Sequence, residues 1–305
     1  MVQKNSLKKI LIICGPTASS KTAVAVECAK LLNTEIISSD SMNVYAGLDI
    51  GTAKPTIDER QNIKHHLIDV VAPDKEFSVF DYREMALPII DNLLSKGKVP
   101  IICGGTGFYI NSILYDLSYG NSKANPEARE YYKNLSLEKG NQFVYDILME
   151  KDPESAIKLH PNDSKRVIRA LEILEQNIKK SDIKDDLIPK YDYNVYSVDF
   201  DREILYERIN KRVDIMFNLG LVEEIKGLID KGVKKEFQCM QGIGYKEIFP
   251  FLEGELTLEQ AKELIKLNTR HYAKRQITFF KKLQNLKLIK PDTPENLAKR
   301  IVQEL

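Results

Sequence analysis

Cysteine is scarce and scattered: Cys14, Cys28, Cys103 and Cys239 stand far apart, with no CxxC pair and no Cys/His cluster. That argues against a zinc site and against a disulfide framework, and a reducing compartment is the simplest reading. Long hydrophobic runs are missing as well. The apolar stretch at 10–14 is far too short for a signal or membrane helix and runs directly into Gly15-Pro16, so a soluble, cytoplasmic protein with no membrane partner is expected. Neither sign of charge is in excess: 45 Lys and Arg face 44 Asp and Glu, a formal net charge of +1. Global charge therefore names no partner, and its local distribution has to carry that argument. Repeats and low-complexity tracts are also lacking.

What is present is enough for a large core. A chain of 305 residues, 43% of them hydrophobic, exceeds the commonest single-domain size and leaves room for an appendage. Residues 9–14 read as a buried strand and 21–32 as a helix, with 15–20 as the turn between them. Further short apolar runs at 35–38, 67–70, 99–103, 195–200 and 286–289 are separated mostly by helical patterns. A largely parallel α/β sheet flanked by helices follows, with ligands expected at the carboxyl ends of its strands. Between 111 and 190 the strand signals vanish. Helical stretches at 126–137, 142–150, 153–158 and 163–175 suggest a helical insertion, and 179–190 reads as a charged loop. Residues 201–231 and 257–283 are long helical patterns. The expected division is a core of 1–114 and 191–305 around an insertion of 115–190.

Gly15-Pro16-Thr17-Ala18-Ser19-Ser20-Lys21-Thr22 fits the spacing of a phosphate-binding loop, GxxxxGK followed by Ser or Thr, except that Ser20 replaces the second glycine. Backbone N–H groups of the loop and helix start would surround phosphate oxygens, Lys21 would add charge, and the Thr22 hydroxyl would coordinate magnesium. If position 20 requires a positive φ, Ser20 carries strain there. Asp40, after the second apolar run, sits at the ligand edge, where its carboxylate can take a proton from a weakly acidic amine or cap a short helix starting at Ser41; the residues alone leave these even. Lys54, in the loop 47–55, is a second lysine within reach of phosphate. Between 264 and 291 stand eight Lys or Arg and no Asp or Glu, interleaved with Tyr272, Phe279 and Phe280. That stretch suits a nucleic-acid or diphosphate surface. Arg208 and Arg212 are one helical turn apart and share a face that could reach an anionic substrate. The four histidines are assigned structural roles.

Several strings, in order along nearly the whole chain, resemble the bacterial tRNA dimethylallyltransferases, also called tRNA isopentenyltransferases. They are the loop 15–22, Asp40-Ser41-Met42-Asn43-Val44-Tyr45, the loop 47–55, His65-His66-Leu67-Ile68-Asp69 and Gly104-Gly105-Thr106-Gly107-Phe108-Tyr109. The series continues with the stretch 160–172, Gly242-Ile243-Gly244-Tyr245-Lys246-Glu247 and Thr269-Arg270-His271-Tyr272-Ala273-Lys274-Arg275-Gln276. The resemblance implies a P-loop NTPase-like core, a helical tRNA-binding insertion, and transfer of dimethylallyl from dimethylallyl diphosphate to the exocyclic amine of the adenine 3′ of the anticodon, with Mg2+ as cofactor and a monomer as the working unit. It implies Asp40, Thr22 and Arg212 as catalytic residues, with Gly15, Pro16, Thr17, Ala18, Ser19, Ser20, Lys21, Thr22 and Lys54 on the diphosphate. The anticodon stem-loop would meet Asp40, Ser41, Met42, Asn43, Thr106, Arg129, Lys165, Arg166, Val167, Ile168, Arg169, Gln241, Gly242, Ile243, Gly244, Tyr245 and Lys246. Two departures stand out: Ser20 for the usual glycine, and Phe279-Phe280-Lys281 where the family commonly has a tryptophan and a later arginine. No zinc-finger extension is expected after Leu305. The rival readings are a prenyltransferase acting on free adenine nucleotides, a small-molecule kinase using the loop for ATP, and a non-catalytic RNA-binding protein.

Overall fold

The structure is a computed structural model that describes residues 9–117, 125–176, 178–179, 181 and 187–305. Residues 180 and 182–186 of the expected charged loop thus lie outside the described residues. Two compact units emerge, 1–114 with 189–305 and 115–188.

The larger unit is an α/β layer structure. Its elements run β1 (Lys9–Cys14), α1 (Lys21–Leu32), β2 (Ile36–Ser38), α2 (Ile57–Arg60), β3 (His65–His66), α3 (Val79–Ser95), β4 (Ile101–Gly104) and α4 (Gly107–Leu114). Within the smaller unit follow α5 (Pro126–Lys139), α6 (Asn141–Lys151), α7 (Pro153–Ala156) and α8 (Ser164–Leu174). The larger unit resumes with β5 (Asp192–Val198), α9 (Arg202–Asn218), α10 (Leu221–Asp230), α11 (Phe249–Leu252), α12 (Leu258–Phe280), β6 (Leu286–Ile289) and α13 (Pro294–Gln303).

The six strands form one parallel sheet in the order β3-β2-β4-β1-β5-β6. β1 is central and buried on both faces, which is why it reads as an unbroken apolar run rather than an alternating one. Over it α1 lays Val24, Ala25, Cys28 and Ala29, and Leu297, Ala298 and Ile301 of α13 close the same cluster. Each large aliphatic side chain so buried contributes about 1.5–3 kcal/mol. The register pairs Cys14 with Gly104 and Ser38 with Cys103, so β1, β2 and β4 end level with one another. The loops after those three strands therefore open at one edge of the sheet, beside the point where the chain order reverses about β1.

Two expectations need correction. The run at 67–70 is not a strand: Leu67 and Asp69 adopt positive φ (60° and 57°), which turns the chain out of the sheet directly after His66. The single helical pattern over 201–231 is two helices, broken at Gly220, whose φ of 95° suits a residue without a Cβ.

The smaller unit is a helical cluster with its own core of Tyr132, Val144, Leu148, Ala156, Val167, Ile168 and Leu171. At its centre Glu172, fully buried, accepts from the Arg129 and Arg169 guanidinium groups and from the Asn125 backbone N–H. The buried carboxylate is thus neutralised and hydrogen-bonded, the condition under which burying a charge is tolerable.

Candidate functional site

The loop after β1 is shaped by three positive φ angles, at Gly15, Ala18 and Ser20 (146°, 63° and 62°). Position 20 does need the left-handed conformation, so the serine there carries strain, as does Ala18, at about 1–2 kcal/mol per residue. Ser20 makes no side-chain cap to α1, and the first turn of that helix has no acidic residue. The first N–H groups of α1 are left as donors, with the positive end of the helix behind them. Ser19 is buried and its hydroxyl donates to the Pro16 carbonyl at 2.8 Å, so this side chain braces the loop from within. The Lys21 ammonium rests 3.3 Å from the same carbonyl. Burial pushes its pKa below the ordinary lysine value, and the Asp40 carboxylate acts in the opposite direction.

The loops after β2 and β4 are locked together. Thr106 donates its N–H to the Ser39 carbonyl (3.0 Å), and its hydroxyl accepts the Ser41 N–H (3.0 Å). Gly104 is required by the closeness of this approach, since a Cβ there would lie 2.1 Å from the Ser39 carbonyl oxygen. Asp40 takes the Met42 N–H at 3.0 Å through one carboxylate oxygen, an Asx turn rather than the start of a helix. Residues 15–20 are tied to the β4 loop by Gln276 of α12, whose amide oxygen accepts the Thr17 N–H and whose amide nitrogen donates to the Gly105 carbonyl, both at 2.9 Å. Arg212 on α9 reaches the Thr17 hydroxyl at 3.4 Å; burial pulls its pKa below the usual arginine value.

These walls enclose a cavity of about 390 Å³. Thr17, Lys21, Thr22, Asp40 and Arg212 line its polar side; Ile209, Val213, Met216 and Ile265 from α9 and α12 form an apolar wall. Ser41, Met42, Asn43 and the stretch 241–244 line it too. Two acceptors in the lining have no partner and are shut off from water: the Asn43 amide oxygen and Nε2 of His65, whose Nδ1 is 2.8 Å from the Ile63 carbonyl. Burial pushes the His65 pKa down, which favours the neutral ring. Cys103 also lines the cavity, but burial raises its thiol to about 11, so it is no nucleophile.

Several residues expected at ligands are spent elsewhere. Lys54 does not line the cavity: its buried ammonium donates to the Tyr45 carbonyl (2.8 Å) and the Asp49 carboxylate (2.6 Å) and pairs with Asp69, using its three N–H groups. Tyr245 is fully buried, with its hydroxyl on Glu224 at 2.7 Å, and packs against Gly51, where a Cβ would lie 2.5 Å from the ring. Val167 and Ile168 belong to the core of the smaller unit and offer nothing to a polar partner, while Lys165 and Arg166 are exposed and Arg169 is half-buried. Arg129 pairs with Glu172. Along the basic stretch 264–291, Lys266 pairs with Asp214 and Arg270 donates to Asn210, whereas Lys274, Lys281 and Lys282 are exposed and Arg275 lines the cavity. Sequence reasoning did not find Gln276, Glu224 or His65. The backbone groups that the first two bond lie over 100 residues away, so no local spacing signals them.

A magnesium ion fits what is present. Thr22 and Asp40 bring a hydroxyl and a carboxylate, hard oxygen donors, to one cavity; Mg2+ is commonly held by one or two such groups with the remaining positions taken by substrate phosphate and water. No group of three or more His, Cys, Asp or Glu among the described residues forms an all-protein cage.

Comparison with known proteins gives a consistent result. The IPP transferase family model matches residues 43–283. A tRNA dimethylallyltransferase of Acetivibrio thermocellus is 47% identical over 290 residues, 94% of this chain and 93% of its own. One from Clostridioides difficile is 46% identical over 295 residues, 95% of each chain. Among solved structures, the tRNA isopentenylpyrophosphate transferase of Bacillus halodurans superposes with a TM-score of 0.73 at 38% identity, covering 97% of this chain and 95% of that one. A eukaryotic dimethylallyltransferase acting on tRNA gives a TM-score of 0.74 at 29% identity over 93% of this chain and 74% of its own.

Proposed function

The chain belongs to the IPP transferase family, that of the tRNA dimethylallyltransferases, and from that premise we propose that it moves the dimethylallyl group from dimethylallyl diphosphate to the exocyclic amine of the adenine 3′-adjacent to the tRNA anticodon, releasing diphosphate. The observation that carries the reading is the sidedness of one cavity: uncapped helix N–H groups, Lys21 and Arg212 at one side, an apolar wall of Ile209, Val213, Met216 and Ile265, and the Asp40 carboxylate between loops.

In this reading the loop amides, Lys21 and Arg212 hold the diphosphate and stabilise the charge that grows on it as the allylic carbon–oxygen bond breaks. The apolar wall takes the five-carbon group. The adenine amine attacks the allylic carbon and its proton passes to Asp40, whose orientation is fixed by the Met42 N–H. Thr22 and Asp40 would hold magnesium, which would supply further neutralisation of the leaving group. The target adenine has to leave the anticodon stack, at a cost of a few kcal/mol that interactions around Ser41, Met42, Asn43 and Thr106 offset. The exposed Lys165 and Arg166 add bonds to phosphate. Among the described residues no helix is long and apolar enough to cross a membrane. A monomer working in the cytoplasm completes the proposal.

The test is incorporation of radiolabelled dimethylallyl diphosphate with Mg2+ into an unmodified tRNA carrying that adenine, into the same tRNA with guanine in its place, and into free AMP. Label in the first alone is the expected result. Label in AMP would replace this reading with a free-nucleotide prenyltransferase, and label in none would overturn it.

A further inference from the structure

We propose that Arg208 is a positioning residue for the diphosphate-binding loop, and that it makes a serine serviceable at position 20. The inference rests on the diphosphate reading above. The loop needs left-handed backbone at Ala18 and Ser20, neither of them glycine. Arg208, on α9, meets both. Its Nε donates to the Ala18 carbonyl at 2.8 Å and its Nη2 to the Ser20 hydroxyl at 2.7 Å. The guanidinium lies over the Phe200 ring, 4.7 Å from its centre, so the fork is oriented from a third direction. Beneath it Leu205 and Ile209 pack with Ala18 and Ala273, which fixes α9 against the loop.

Arg208 is therefore not the partner of Arg212 on the anion that their shared helix face suggests. Arg212 lines the cavity and Arg208 does not. The three groups Arg208 touches are a carbonyl, a hydroxyl and a ring, none of them charged. A glycine at position 20 adopts positive φ freely but has no oxygen to hold; a serine there costs strain and offers the guanidinium a handle. The two non-glycine residues and the planar fork form one unit. Only arginine can bond both points at once, because its N–H groups are set at a fixed spacing in one plane.

Titration of inorganic diphosphate with Mg2+ into the full-length protein tests this, alongside KM and kcat for donor and tRNA. The series is the unaltered chain, Arg208→Ala, Arg208→Lys, Ser20→Gly and the Ser20→Gly/Arg208→Ala double variant. Arg208→Ala and Arg208→Lys are expected to weaken diphosphate binding alike, by about tenfold, and to raise KM for the donor with KM for tRNA unmoved. In the Ser20→Gly background the loss caused by Arg208→Ala should shrink, the mark of a coupled pair. Full affinity in Arg208→Lys would reduce the residue to a charge and overturn the proposal. So would strictly additive effects, or a change confined to KM for tRNA. Failure of the unaltered chain to bind diphosphate would instead sink the donor reading itself, and this inference with it.

Discussion

The cavity of the larger unit and the exposed face of α8 in the smaller one handle charge in opposite ways. In the first, Lys21 and Arg212 are half-buried in the cavity wall and the Asp40 carboxylate is pinned by a backbone N–H, so each arrives at its ligand with little freedom left. In the second, α8 turns Val167, Ile168 and Leu171 inward and leaves Lys165 and Arg166 in solvent. The lesson is one of division: bond-making needs groups held in advance, whereas a phosphate backbone is met well enough by loose, hydrated cations.

Three variants bear on that division, and the largest effect is expected at Asp40. Asp40→Ala should lower kcat by about 10²–10⁴-fold, as loss of a general base does, with tRNA affinity in filter binding nearly intact. Weakened tRNA binding at normal turnover would place Asp40 on the RNA side and erase the contrast. Next is Glu224, which holds the loop at 49–51. Its carboxylate accepts the N–H groups of Asp49, Ile50 and Gly51 and the Tyr245 hydroxyl. Glu224→Ala leaves those donors to compete for water, and a loss of about 2–3 kcal/mol in urea unfolding is expected. An unchanged midpoint would show that the 49–51 loop does not depend on it. The smallest effect belongs to the paired exchange Lys165→Ala with Arg166→Ala. It should weaken tRNA binding several-fold and, with kcat unchanged, flatten the dependence of log K on log salt by about 0.7–0.9 for each phosphate left without its cation. Slower chemistry at saturating tRNA would mean that the smaller unit takes part in the bond-making step.

How much of this the residues announce depends on how far apart in the chain the interacting partners stand. The strand-loop-helix opening at 9–32 is plain, because buried strand, turn and lysine-threonine pair are neighbours in sequence. So is the helical character of 126–175, carried by periodicity. Lys54 misleads because a lysine in a glycine-bearing loop looks free, and the carboxylate of Asp69 that helps hold it becomes a neighbour only once the chain has turned at Leu67. Tyr245, Val167 and Ile168 are expected at RNA on the strength of the strings that contain them; burial separates them from Lys246, Lys165 and Arg166 beside them. Gln276 is invisible for a plainer reason: its two partners stand 259 and 171 residues away.

That glutamine has a direction. One end of its amide takes a hydrogen from Thr17 and the other gives one to Gly105, and only 5% of the residue is exposed to solvent. Hydrolysis of the side-chain amide would alter little in shape, yet it would set two acceptors face to face at Gly105, with no hydrogen between them at neutral pH. The exchange of one NH2 for one oxygen would part the loop after β1 from the loop after β4.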